Sequence, residues 1–186
     1  MKTYIAHLRS VSLYSQSKYL TEPKLEREQP DAYEERCWHL RMDRDKEGRI
    51  FIPAMAFKRS FESGAQYANI KIKGSGKATY TKKIVAGIMI NENLVTNKTV
   101  NDIIKETFLV PADGKPGSKG PRVIKHFPAI SDWEGKLTIY VLDDIITKEI
   151  LSRVIEEAGK FVGVGRFRPQ NGGYYGRYEL VSLDEA

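Results

Sequence analysis

Arg49-Ile50-Phe51-Ile52-Pro53-Ala54-Met55-Ala56-Phe57-Lys58-Arg59-Ser60-Phe61 is the stretch on which the fold turns. Ile50, Phe51 and Ile52 are strong strand formers, and they follow the turn Asp45-Lys46-Glu47-Gly48. Pro53 then ends the strand, because it has no N–H to give to a ladder. It suits a first helical position, where that N–H would be unpaired anyway. Ala54, Phe57, Phe61, Ala65 and Ala68 recur every three or four residues. That spacing predicts a helix over 53–68 with one buried face and with Lys58, Arg59 and Glu62 more exposed.

Working outward, Trp38, Leu40 and Met42 occupy alternate positions, so residues 36–44 are expected to be a strand pairing with 49–52 as a hairpin. Cys37, His39, Arg41 and Asp43 would then share its other face. Residues 3–13 lack Gly and Pro and read as a strand, while 17–31 read as a loop or short helix. Downstream, 71–83 is rich in Lys and Gly, 84–90 is an apolar run of either type, and Thr99 is expected to cap a short helix over 99–107. Residues 111–121 hold three Pro and three Gly, a loop flanked by Phe108–Pro111 and Arg122–Ile130. Leu137, Ile139 and Val141 alternate as a strand. Thr147 caps a helix striped by Ile150, Leu151, Val154, Ile155 and Ala158, and a glycine-rich loop (163–173) leads into a last strand, 174–183. Strand–helix–strand units of this kind give an α+β, ferredoxin-like fold: an antiparallel sheet with helices on one face. The expectation is a single domain, 1–186, with an insertion at about 108–131 and a glycine-rich loop at 163–177.

The chain has 186 residues, with 30 Lys and Arg against 24 Asp and Glu, a net charge of +6. Its 41% apolar content excludes a disordered or collagen-like chain. The single cysteine, Cys37, cannot form an internal disulfide. The charged N-terminus is unlike a signal peptide and no stretch is apolar enough to span a bilayer, so a cytoplasmic protein with no membrane partner is expected.

The positive charge is concentrated. No acid occurs from Ser63 to Asn91, which carries Lys71, Lys73, Lys77, Lys82 and Lys83. None occurs from Gly114 to Ser131, with Lys115, Lys119, Arg122, Lys125 and His126, nor from Gly159 to Tyr178. That last segment interleaves Lys160, Arg166, Arg168 and Arg177 with Phe161, Phe167, Tyr174, Tyr175 and Tyr178. Bases neutralise phosphates and exposed aromatics stack on unpaired bases, so the pattern suits a groove for single-stranded RNA or DNA. Tyr174, Tyr175 and Trp133 are the candidates for stacking. The competing reading is three solvated faces whose aromatics turn into the core.

Other chemistries lack their motifs. The glycine-rich loop follows a helix and puts Arg168 where a dinucleotide fingerprint needs its third glycine. Gly74-Ser75-Gly76-Lys77 is followed by Ala78, where a phosphate-binding loop needs Ser or Thr for Mg²⁺. His7, His39 and His126 are scattered, so no metal or cofactor is expected. Cys37 and His39 form a nucleophilic pair only in principle, and His39 or His126 is the candidate base if RNA is cut by its own 2′-hydroxyl.

Two segments carry a family resemblance. Ile50–Ser60 is similar to the strand–Pro–helix segment of the RAMP superfamily, often written IPGSSLKGALR, with Ala54-Met55-Ala56 in place of Gly-Ser-Ser. Gly163-Val-Gly-Arg-Phe-Arg-Pro169 with Gly172-Gly-Tyr-Tyr-Gly-Arg-Tyr-Glu179 resembles that superfamily's glycine-rich loop. The resemblance implies RNA-recognition-motif domains, service in CRISPR effectors, and closest likeness to the backbone subunit that polymerises along guide RNA. By residue it implies Lys58, Arg59, Arg166, Arg168 and Arg177 as phosphate contacts. It implies a base-separating thumb at 111–121, flanked by Arg122, Lys125 and His126. The expected partners are therefore single-stranded nucleic acid, further copies of the chain, and other CRISPR effector subunits. No counterpart of the family's catalytic Asp is found, so binding without catalysis is expected. The alternatives are a metal-independent endoribonuclease and a CRISPR-subunit mimic acting through protein contact.

Overall fold

The computed structural model describes residues 1–115 and 117–186. In chain order the strands and α-helices are β1 (Lys2–Ser10), β2 (Tyr14–Ser15), α1 (Pro30–Cys37), β3 (Arg49–Ile52), α2 (Ala54–Ala68), α3 (Thr81–Gly87) and β4 (Ile88–Met89). After these come β5 (Leu94–Thr99), β6 (Ile104–Pro111), β7 (Arg122–Ile130), β8 (Glu134–Val141), α4 (Lys148–Glu157) and β9 (Tyr178–Glu185). The main sheet has the order β3-β5-β8-β1-β9, every pair antiparallel, with β4 also on β8. Stripped of β3 and β4, this is last–first–third–second, the strand order of a ferredoxin-like α+β fold.

Register fixes which face is buried. Tyr4 lies opposite Ile139 and Ala6 opposite Leu137, so these side chains all point to the same side. There α2 and α4 cover them with Phe57, Phe61, Leu151, Val154 and Ile155, all fully buried. The helices approach closely because Gly64 has no side chain: a Cβ there would lie 2.5 Å from that of Ala158. Trp133 is also fully buried, edge-on to Tyr14 and Phe57. It belongs to the core and cannot stack on a base, contrary to its expected role.

A second sheet, β2-β7-β6, carries the long hairpin β6–β7, with Leu109 opposite Ile124 and Thr107 opposite His126. A shorter hairpin follows α2. Asn69 ends that helix in the left-handed conformation, Ile72 and Tyr80 donate to Ala78 and Ile70, and the tip is Gly74-Ser75-Gly76. No helix among the described residues is long and apolar enough to cross a membrane.

Several segments depart from their expected form. Residues 36–44 are not a strand: α1 runs to Cys37 and a 3₁₀ turn follows over Trp38–Arg41. The alternation there spans only three apolar positions, and the bonding of Glu34 and Arg41 to the distant strand β7, described below, decides the conformation. The turn at 45–48 remains, but Ile50 meets the preceding chain only in a single bridge to Arg44. Thr99 does cap, with Asp102 completing a capping box, yet it starts only a 3₁₀ turn (Val100–Asp102) before β6. Residues 84–90 divide into the end of α3 and the start of β4, and the last strand begins at Tyr178 rather than 174.

Candidate nucleic-acid interface

The glycine-rich loop is folded tightly on itself. Phe167 has φ 58°, a left-handed conformation that is strained for an aromatic residue. The carbonyl of Phe167 accepts from the Tyr175 N–H, and that of Arg168 from the Gly173 N–H. A Cβ on Gly173 would sit 1.8 Å from the Phe167 carbonyl oxygen, so only glycine closes the turn. Val164 and Gly176 are bonded to each other, and the Gly176 and Arg166 N–H groups donate to Leu13 and Ser15. Gln170 Nε2 donates to Ser63 Oγ, which docks the loop on α2.

A cleft of about 90 Å³ lies between the two, with Arg59 and Ala56 on the helix side and Gly163, Gly165 and Arg168 on the loop side. Arg59 is exposed and has no hydrogen bond or ion pair among the described residues. Arg168 is held by the Gly165 carbonyl and Gln170, which aims it along the cleft. Beside it, Phe167 packs edge-on to Tyr174 and Tyr175, and Tyr174 is 70% exposed. Two guanidinium groups and backbone at close range thus line one cleft, and the exposed rings stand on the same loop beside it.

Other expected phosphate contacts are engaged elsewhere. Lys58 Nζ donates to the carbonyls of Ile84 and Val85 and pairs with Glu62, so it caps the end of α3. Arg166 lies under the loop, its guanidinium carbon 3.5 Å from the Phe127 ring centroid and 4.9 Å from that of Phe108. Its Nη1 is buried without a partner among the described residues, and burial lowers its pKa. It is a post between the loop and the root of the β6–β7 hairpin. Tyr175 is tied to the same root through its hydroxyl, which donates to Glu106; burial and that carboxylate push its pKa up to about 12. Arg177 donates to the Lys160 and Tyr174 carbonyls and so braces the loop from behind.

The hairpin root holds a group that the local sequence pattern does not reveal. Glu34, buried, accepts two hydrogen bonds from Arg41 at 2.7 and 2.9 Å, one from Lys125 and one from the His126 N–H. Arg41 in turn donates to the His126 carbonyl. This pair therefore satisfies the edge of β7 as a neighbouring strand would. Burial alone would raise the Glu34 carboxyl, but these bonds outweigh it and hold the pKa at about 2. The His126 ring lies between Thr107 and Glu35, and Lys105 also pairs with Glu35. Lys125 shares the Glu34 carboxylate with Arg41, and the His126 ring shares Glu35 with Lys105, so both side chains are engaged where they stand. The sequence signal for this was weak, since Glu34 and Lys125 are 91 residues apart.

Lys71, Lys73, Lys77 and Lys82 stand exposed around the shorter hairpin without ion pairs among the described residues, while Lys83 pairs with Asp143. Lys119 is exposed in the loop between β6 and β7, and Arg122 at its foot donates weakly to the Leu109 carbonyl. Pro116 lies outside the described residues. Cys37 is buried, which pushes its thiol pKa up, the opposite of what a nucleophile needs. His39, packed against Trp38, has its pKa lowered by burial and Arg44.

Where β1 and β8 meet, the sheet face turned away from the helices offers little for base stacking. Thr3, Ile5, His7 and Arg9 on β1 face Tyr140, Thr138, Lys136 and Glu134 on β8. Tyr140 is the one aromatic among them, and its hydroxyl donates to Glu92.

No protein-family model matches the chain, and no curated protein does. Solved structures do. The crystal structure of Cmr6 from Pyrococcus furiosus superposes with a TM-score of 0.50 at 13% identity, over 97% of this chain and 98% of that one. The cryo-EM structure of the Type III-B Cmr-beta bound to cognate target RNA aligns at 12% identity and a TM-score of 0.48, over 99% of this chain and 60% of that chain. The likeness to Cmr6 covers nearly the whole of both chains, so the chain has the Cmr6 fold.

Proposed function

We propose that this protein binds single-stranded nucleic acid, RNA first, in the groove between α2 and the glycine-rich loop, and that it binds without cutting. The observation that carries this reading is the convergence of Arg59 and Arg168 on one cleft with close-approach backbone at Gly163 and Gly165. Such a site neutralises adjacent phosphates, while Tyr174 and Phe167 offer rings to an unstacked base. In this reading copies of the chain assemble side by side along the strand, as a CRISPR effector backbone subunit would, and further effector subunits are the partners.

Titrating a fluorescent oligouridylate at several salt concentrations tests it. Each phosphate neutralised contributes about −0.7 to the log–log slope, so replacing Arg59 and Arg168 by Ala should make the slope shallower by about 1.4. An unchanged slope would move the phosphate contacts elsewhere, and affinity independent of salt would end the nucleic-acid reading. Light-scattering mass read together with the ratio of absorbance at nucleic-acid and protein wavelengths tests assembly. A complex several times the monomer mass and rich in nucleic acid supports it; a bare monomer contradicts it.

A further inference from the structure

Tyr67 and Phe161 form an exposed, nearly parallel pair: ring centroids 5.6 Å apart, planes within 20°, each ring about half exposed at 52% and 49%. The other close aromatic pairs among the described residues meet at 49° or more, and of these Phe167–Tyr174 is the exposed one. Both rings are placed by the backbone. Tyr67 lies on the same side of α2 as Arg59, about 12 Å further along the helix, with half-buried Ser63, which accepts from Gln170, between them. Phe161 comes from the Ala158–Val162 π-turn in which α4 ends, the same turn that abuts Gly64 on α2. Such widened turns often occur at working surfaces.

The surroundings specify the ligand's charge. No acid occurs from Ser63 to Asn91 or from Gly159 to Tyr178; the carboxylates nearest Phe161 in the chain are Glu156 and Glu157, at the end of α4. Glu62, just before Ser63, is paired with Lys58. Past Tyr67 the chain enters the hairpin bearing Lys71, Lys73 and Lys77, all exposed. A π surface with cations on both sides matches the alternation of bases and phosphates in a single strand.

Resting on the function proposed above, we infer that Tyr67 and Phe161 are a second base-stacking platform. The strand runs from the Arg59–Arg168 cleft along α2 to the lysine hairpin, and the site is longer than the cleft alone.

The test uses the full chain with labelled oligouridylate and oligothymidylate of about fifteen nucleotides, within the usual site size for such grooves. Replacing Tyr67 and Phe161 together by Ala should weaken both by about tenfold or more, with the salt slope unchanged because no phosphate contact is removed. Phe161→Leu, which keeps apolar volume but no ring, should show part of the loss with an unaltered thermal transition. Tyr67→Phe should bind as the parent does. On an abasic strand of equal length the double variant should bind as well as the parent. Replacing Lys71, Lys73 and Lys77 by Ala should instead make the slope shallower by about 2. If the ring variants bind both polymers as tightly as the parent while the Arg59 and Arg168 variants do not, the platform is wrong, the cleft stands, and the ring pair is a protein contact. If the parent binds neither polymer, the functional reading fails and the platform with it.

Discussion

At the root of the β6–β7 hairpin, Lys105, Lys125 and His126 each have a carboxylate within 3.2 Å. Along the hairpin that follows α2, Lys71, Lys73 and Lys77 have none among the described residues. Both hairpins are basic and carry glycine at their tips, yet α1 lays Glu34 and Glu35 against the first and nothing comparable reaches the second. The first region is therefore a structural joint that holds a projecting ribbon in place. The second is open positive charge, at the far end of α2 from the Arg59–Arg168 cleft. Local charge balance does not decide what a surface can bind; the partners that folding brings do.

The largest effect should come from breaking the joint. Arg41→Ala removes two of the four hydrogen bonds that Glu34 accepts in the core, leaving Lys125 and the His126 N–H, and should cost about 2–3 kcal/mol in denaturant unfolding. A loss below about 1 kcal/mol would mean that the pair does not hold the hairpin root. Acid should act on the same joint. The folded-state pKa of Glu34 is depressed to about 2 from 4.5, so its contribution is complete above pH 4.5 and is lost as pH falls toward 2. That contribution is at most about 3 kcal/mol, and the acid loss should shrink in Glu34→Gln. A variant with the parent's acid profile would contradict the assignment.

The binding predictions separate the two regions. Arg59 and Arg168 replaced by Ala should flatten the salt dependence by about 1.4, whereas Lys125→Ala, whose ammonium is held on the Glu34 carboxylate, should leave it unchanged. If Lys125→Ala flattens it equally, the hairpin root belongs to the interface. The smallest effect is expected on the open sheet face: Tyr140→Ala should change oligonucleotide affinity less than about twofold, since stacking on a used ring would cost far more.

Elements set by neighbouring residues were readable in the chain. Pro53 and the Ala54–Phe57–Phe61 spacing locate α2, Thr147 locates α4, and the alternation Leu137–Ile139–Val141 locates β8. What could not be read depends on distant partners. Residues 36–44 alternate like a strand but follow the Glu34–Arg41 pair onto β7, and Thr99 makes its cap without a helix behind it. The candidate site divides the same way. Arg59 and Arg168 stand together because the loop docks on α2, while Lys58 is drawn to carbonyls 26 and 27 residues away and Arg166 beneath the aromatic root of the hairpin. Tyr67 carries no sequence signal at all, since its significance comes from the π-turn that brings Phe161 beside it.

Photo-cross-linking a 4-thiouridine-substituted oligouridylate to the intact protein, with adducts mapped by mass spectrometry, tests the central claim most directly. Adducts concentrated on the glycine-rich loop and the exposed face of α2, at Phe167, Tyr174 and Tyr67, are the predicted result. Adducts centred on Tyr140 and the open face of the sheet would contradict it and place the strand across the sheet instead.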